Sequence, residues 1–318
     1  MTQQLGFLFP GQNSQHVGML AELAALYPIV LDTFAEASNV LGYDLWELAQ
    51  NGPEEKLSLT SITQPVILTS SVAIWRVWLQ KGGAMPTLMA GHSLGEYSAL
   101  VCSGVIQFPD AVELVKRRGE LMQEAVPVGA GGMAAVLGLE DQAVIKACAD
   151  AAERGIVAAV NFNSPGQVVI SGESAAVDRA SELCKAAGAK RVLALSVSAP
   201  FHSPLMKGAA ERFAVELNKK EFQTPSIPVL QNFSLGTTFD VEQIRQNLID
   251  QIYNPVPWVA TINLFAERKI NTVVEIGPGK VLTGFNKRIQ SEMKAISVND
   301  PVSLDAALTA TSNNPEQI

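Results

Sequence analysis

The feature that most constrains this chain is Ala90-Gly91-His92-Ser93-Leu94-Gly95-Glu96. A short apolar run, Thr87 to Ala90, leads in, and an apolar-rich run to Val101 leads out. This context predicts a strand that enters a tight turn and opens directly into a helix, the setting in which G-x-S-x-G is a nucleophile elbow. Gly91 and Gly95 tolerate the strained backbone and let strand and helix approach closely. Ser93 is then carried at the top of a sheet beside the free N–H groups of a helix N-terminus, where an oxyanion is stabilised. In a chain with 24 glycines the motif also arises by chance, so its surroundings have to decide.

The 318 residues fit about two domains. With 47% hydrophobic and 17% charged residues, the chain supports a sizeable core and is not of a disordered type. A net charge of -8 argues against nucleic acid as a partner. Cys102, Cys148 and Cys184 are odd in number and widely spaced, which speaks against a disulfide framework or a zinc site and fits a reducing compartment. Met1 to Gln4 lack the basic region and long apolar stretch of a signal peptide. The longest apolar segment, Val66 to Leu79, is interrupted by Thr69, Ser70, Ser71 and Arg76, so it reads as a buried helix and not a membrane span. The expectation is a cytoplasmic globular enzyme with no metal and no membrane partner.

Strand and helix alternate from the start. Leu5 to Phe9 reads as a buried strand, followed by Pro10-Gly11 and a polar loop from Gln12 to Gln15. Helices are expected over 28–41 and 45–50, and a long one beginning at Thr63-Gln64-Pro65, with Pro65 in the first turn. A helix capped by Asp110 runs to about Val126, with Ala111, Leu114, Val115, Met122 and Ala125 on one stripe. From Pro127 the texture changes. Strands over 133–139, 156–161, 167–171 and 191–198, with helices over 141–154 and 173–187, give the order βαββαβ, the split-βαβ, ferredoxin-like pattern. This predicts a small subdomain, 127–198, inserted into an α/β-hydrolase-like core with a parallel sheet formed by 1–126 and 199–318. The active site is expected in the cleft between them. The core resumes with a helix to Leu217, a strand over 228–231, helices over 241–252 and 258–268, a strand over 272–276, a helix to Ile289 and a strand over 295–298; 311–318 is expected to fray.

Two residues beyond Ser93 carry chemistry. Arg118 falls four residues after Leu114 and four before Met122, on the inward stripe of its helix. A buried arginine stays charged and needs an anion. An internal ion pair with a core carboxylate, a snorkelling side chain, or a substrate carboxylate gripped bidentately would each satisfy it. A serine nucleophile also needs a base, and the histidines are His16, His92 and His202. His92 adjoins Ser93 and should point away from it, packed or bonded locally. His16 reads as a surface or capping residue. His202, at the junction between the two expected domains, is the candidate base, with no acidic residue evident to orient it; a carbonyl group can do so equally well.

In these residues and their surroundings the chain resembles the malonyl-CoA:acyl carrier protein transacylases of fatty acid synthesis and the related acyltransferase domains of polyketide synthases. The matching segments are Phe9-Pro10-Gly11-Gln12 with Ser14-Gln15, Thr63-Gln64-Pro65, Gly91 to Glu96, Arg118-Gly119 and Asn161-Phe162-Asn163-Ser164-Pro165. They continue with Phe201-His202, Gln251 with Tyr253-Asn254-Pro255, and Glu275-Ile276-Gly277-Pro278-Gly279. The order is kept over nearly the whole chain.

The resemblance implies a malonyl-serine intermediate on Ser93, with His202 as general base and then acid. It implies that the main-chain carbonyl of Gln251 orients His202, that the backbone N–H groups of Gln12 and Leu94 bind the oxyanion, and that Arg118 clamps the malonate carboxylate. Coenzyme A thioester and the phosphopantetheine thiol of acyl carrier protein are the implied substrates, with no cofactor, and nothing demands more than a monomer. Asn13 departs from the family, which often has a second glycine there; asparagine tolerates unusual backbone angles. Phe201 is similar to the malonyl-selective form of its motif, where relatives using methylmalonate carry a smaller residue. Lys190-Arg191 and Lys287-Arg288 are candidates for a rim that receives an acidic carrier, and equally for ordinary solvated charge. The competing readings are a serine thioesterase or esterase, an acyltransferase subunit serving another carrier such as that of malonate decarboxylase, and a non-catalytic binding module.

Overall fold

A computed structural model describes residues 4–195 and 199–312. It contains a five-stranded sheet and a separate four-stranded one. In chain order the strands are β1 (Leu5–Phe9), β2 (Leu88–Gly91), β3 (Gly131–Leu137), β4 (Val157–Ser164), β5 (Gln167–Glu173), β6 (Arg191–Ala194), β7 (Val229–Leu230), β8 (Thr272–Ile276) and β9 (Lys294–Val298). The larger sheet runs β7-β2-β1-β8-β9 and every pairing in it is parallel.

Helices cover both faces of this sheet, so β1, β2 and β8 are buried along their whole length. Strand alternation divides the covering. Phe7 packs edge-on against Trp75 and Trp78, with ring centroids 5.7 and 5.3 Å away, in the long helix Thr60–Gln80. Leu8, pointing the other way, joins Trp258, Ile262 and Phe265 of helix Trp258–Glu267. Each fully buried aromatic contributes about 2–3 kcal/mol of transfer free energy.

The smaller sheet, β4-β5-β3-β6, is antiparallel throughout and built wholly from residues 131–194. One face, including Ala134, Val136 and Ile170, packs on helices Asp141–Asp150 and Ser174–Ala186. The opposite face carries Met133, Ala135 and Val169 toward the larger sheet's helices and loops.

Several expected elements shift. The long helix begins at Thr60, so Pro65 lies inside it. Its extra turn is held from outside, by the Ser61 N–H donating to Gln123 Oε1 at 2.9 Å and Thr63 Oγ1 to the Leu57 carbonyl at 2.7 Å. The helix of Arg118 spans Phe108–Glu124 with Gln107 as its cap, which leaves Asp110 in the first turn, where it complements the helix dipole. Strand β4 continues through Ser164, shortening the expected turn. Strand β6 ends at Ala194, and 196–198 of the expected strand lie outside the described residues, as do 313–318 of the expected frayed end. Helices Ala21–Leu26 and Pro301–Thr311 were not expected; the second starts on an Asp300/Ser303 capping box.

Candidate active site

The site forms where β1 and β2, neighbours in the sheet, both end. Phe9 pairs in register with Gly91, so the loop after β1 and the turn after β2 emerge side by side at the carboxyl edge. The turn is as tight as its glycines allow. A Cβ on Gly91 would overlap the backbone of Gly95 and Glu96, and one on Gly95 would overlap the carbonyl of Phe9. Helix Gly95–Cys102 starts immediately after, and Ser93 sits at the apex with φ 51°. Positive φ is uncommon for non-glycine residues and concentrates at functional sites. Asn13 (φ 75°) and His202 (φ 61°) share it, and all three line one cavity.

That cavity, of about 360 Å³, lies between the elbow and the inward face of the small sheet. Ser93, His202, Gln12 and Asn13 form its polar end, while Met133, Ala135 and Val169 form an apolar wall. Phe201, Phe285 and Met122 also line it.

Ser93 Oγ lies 2.7 Å from His202 Nε2. On the far side of the ring, Nδ1 is 2.9 Å from the main-chain carbonyl of Gln251. A carbonyl only accepts, so Nδ1 carries the proton and Nε2 is left as the acceptor for the serine hydroxyl. Burial, and then the neighbouring Arg118 guanidinium, pull the His202 pKa down to about 3, so its imidazole is neutral at physiological pH.

Arg118 is fully buried. Its Nη1 donates to Gln64 Oε1 at 2.9 Å, and its Nη2 donates to Gln251 Oε1 at 2.9 Å and to Ser93 Oγ at 3.1 Å. Among the described residues Nε meets no acceptor in hydrogen-bond geometry, although the buried Tyr97 lies beside the guanidinium, its ring centroid 5.4 Å from Cζ. Among the described residues Arg118 forms no ion pair with a carboxylate, so neither the internal salt bridge nor the snorkelling side chain describes it. Its charge is held by neutral amides and turned toward the serine.

The backbone N–H groups of Gln12 and Leu94 donate to no acceptor among the described residues. They flank the serine from the loop after β1 and from the start of helix Gly95–Cys102, two available donors of the kind an oxyanion needs. The Ser93 N–H, by contrast, is taken by Asn232 Oδ1 at 2.9 Å.

His92 does point away from Ser93, but its partner is not local. Nε2 lies 2.8 Å from Asn163 Oδ1 on β4, tying the elbow to the small sheet, and the ring packs beside Trp258 at 5.4 Å. Burial lowers its pKa. His16 is exposed, outside the cavity. Lys190, Arg191, Lys287 and Arg288 are all exposed, and Arg288 donates to Gln167 Oε1 at 2.8 Å.

Three residues around the elbow escaped sequence reasoning. Gln64 and Asn232 are buried and bind Arg118 and the elbow backbone, respectively. Glu96 is a fully buried carboxylate whose pKa burial pushes up to about 6. Thr63-Gln64-Pro65 was noted as a motif without a role, and the partners of Glu96 lie far along the chain.

Residues 6–303 match the acyl transferase domain family. The chain belongs to that family. The malonyl CoA-acyl carrier protein transacylase of Salmonella typhimurium is 58% identical over 306 residues, which is 96% of this chain and 99% of that protein. Among solved structures, a malonyl-transacylase in complex with its type II PKS acyl-carrier protein superposes with a TM-score of 0.96 at 55% identity, covering 97% of this chain and all (100%) of that one. An acyl carrier protein S-malonyltransferase from Vibrio cholerae gives a TM-score of 0.94 at 55% identity, covering 96% and 99%. At the elbow Ser93 Oγ is joined to the neutral His202 and to the buried Arg118 by contacts of 2.7 and 3.1 Å.

Proposed function

We propose that this chain transfers the malonyl group of malonyl-CoA to the phosphopantetheine thiol of an acyl carrier protein, in fatty acid biosynthesis, through a malonyl ester of Ser93. The observation that carries the reading is the position of Ser93 Oγ between His202 Nε2 at 2.7 Å and Arg118 Nη2 at 3.1 Å, base on one side and cation on the other. The names of the relatives support the substrates.

Ser93 Oγ attacks the thioester carbonyl as its proton passes to His202 Nε2. The carbonyl oxygen becomes an oxyanion bound by the N–H groups of Gln12 and Leu94. Collapse breaks the C–S bond, and the leaving coenzyme A sulfur takes the proton from His202. The carrier thiol then reverses the sequence: it gives its proton to His202, attacks the ester carbonyl, and releases Ser93 Oγ, which is reprotonated. The Gln251 carbonyl supports the imidazolium formed in each half-reaction, so a Ser–His dyad suffices. Arg118 grips the malonate carboxylate, with its unpartnered Nε–H as an open donor. No cofactor takes part.

The chain divides in this reading into a hydrolase-like core, 1–126 and 199–318, and an inserted subdomain, 127–198. The parallel sheet with its elbow supports the first. The order β4-β5-β3-β6 with two helices on one face supports a ferredoxin-like assignment for the second. The enzyme works as a cytoplasmic monomer; none of the described helices is long and apolar enough to cross a membrane.

Initial velocities measured against both substrates test the scheme. Parallel double-reciprocal lines are expected for a covalent intermediate released before the second substrate binds. Intersecting lines would require both substrates to be bound at once and would overturn it.

A further inference from the structure

Glu96 has no part in the transfer steps, yet it is a fully buried carboxylate in the first turn of the elbow helix. It forms no ion pair among the described residues. Burying a carboxylate is costly unless its oxygens are fully hydrogen-bonded. Here Oε1 accepts from Gln231 Nε2 at 3.1 Å, and Oε2 accepts from the Asn232 N–H and from Gln251 Nε2, both at 2.9 Å.

The last of these bonds reaches the active site. Gln251 Nε2 has two hydrogens, and its second acceptor is the Ser93 carbonyl at 3.0 Å. An ionised carboxylate and a main-chain carbonyl can only accept, so the NH₂ end of the Gln251 amide must face them. Its Oε1 is thereby turned to Arg118 Nη2 at 2.9 Å. The reversed amide would set an NH₂ group against a guanidinium NH₂, two donors with nothing to accept. We propose that Glu96 is a positioning residue for malonyl selectivity: it locks the Gln251 side-chain amide in the one orientation that holds Arg118 for the substrate carboxylate.

This rests on the reading of Arg118 as the malonate clamp. The hold is asymmetric, since Nη1 is fixed by Gln64 alone and Nη2 by the Glu96-oriented amide. Glu96 reaches Arg118 through the Gln251 side chain and the elbow through the Asn232 N–H, whereas His202 is held by the Gln251 main chain. Its loss therefore falls on the recognition of a charged acyl group more than on the acylation of Ser93.

The test is Glu96→Met, which keeps the length of the side chain and replaces both carboxylate oxygens with a thioether that accepts only weakly. The readout is the ratio of kcat/KM for malonyl-CoA to that for acetyl-CoA, which carries no free carboxylate. The ratio should fall by about tenfold or more, the equivalent of one weakened charge-assisted contact, with most of the change in KM for malonyl-CoA. In an Arg118→Ala background the same substitution should change the ratio by less than about twofold, because residues acting through one another are not additive. An equal loss with both acyl donors, or an unchanged ratio in Glu96→Met beside a lowered one in Arg118→Ala, overturns the proposal and leaves the clamp standing. An unchanged ratio in Arg118→Ala overturns the clamp itself. Should Glu96→Met not fold, Gln251→Met removes the locked amide while keeping the main-chain carbonyl; the ratio should fall there too, and an unchanged ratio overturns the proposal.

Discussion

Arg118 donates directly to Ser93: its fully buried guanidinium places Nη2 3.1 Å from Oγ, and among the described residues it forms no ion pair. A guanidinium placed there raises the electrostatic potential at the nucleophile, and in the proposed reading it receives the carboxylate that arrives with the substrate. Replacing it with alanine should reduce malonyl transfer by about 10- to 100-fold, the worth of a charge-assisted contact in a buried site. Activity on uncharged acyl-CoA should rise relative to malonyl-CoA. Steady-state kinetics with both donors checks this, and an unchanged malonyl preference would contradict the clamp.

Phe201, on the cavity wall next to His202, is 6% exposed. In the proposed reading its ring fills space that a branch methyl on the acyl group would need. Phe201→Ser should raise the rate with methylmalonyl-CoA relative to malonyl-CoA, by about fivefold or more if the space of one methyl group is what is gained. Competition between the two donors, read by mass spectrometry of the carrier protein, would measure it. No gain would mean that another residue sets the limit.

His202 makes a prediction about stability. Its folded pKa of about 3 lies below the ordinary histidine value of 6.5, so between those limits the unfolded chain binds the extra proton. Stability from this group is therefore complete above pH 6.5 and is lost as pH falls. Buried His92 acts with the same sign, while Glu96 and Glu275, both raised by burial, act with the opposite one. Comparison with His202→Gln isolates the single residue. From pH 7 to pH 5 the wild type should lose about 2 kcal/mol relative to that variant in denaturant titrations. A constant difference would show that His202 is not held neutral.

The elbow was the most legible part of the chain because its requirement is steric and local. Gly91 and Gly95 stand where a side chain would strike backbone, and such a demand leaves its mark within five residues. Arg118 was legible as an inward cation because helical periodicity reports a face. The two amides that hold it were not, since Gln64 and Gln251 are 54 and 133 residues away. The carbonyl that orients His202 is a main-chain atom, which no residue type announces; only the resemblance to a family pointed to Gln251. Glu96 lay in plain view within the motif, but its partners at 231, 232 and 251 meet it only in the folded chain. Helix Pro301–Thr311 was missed although Asp300 and Ser303 give it a capping box, because no strong apolar stripe follows the cap.

Gly95→Ala tests the steric argument on its own. The added methyl would meet the Phe9 carbonyl, on the backbone of the central strand, which cannot move without disturbing β1. A loss of about 3 kcal/mol or more is expected, at the upper end of overpacking costs. The denaturation midpoint reports it. A variant as stable as the wild type would mean that the elbow is looser than described.

The covalent intermediate is the central claim, and intact mass spectrometry addresses it most directly. The protein is incubated with malonyl-CoA alone, measured, then mixed with phosphopantetheinylated acyl carrier protein and measured again. The wild type should gain one malonyl group, absent in Ser93→Ala, and should pass it to the carrier thiol. Rapid release of free malonate with no carrier present, or an adduct that persists in Ser93→Ala, would contradict the account.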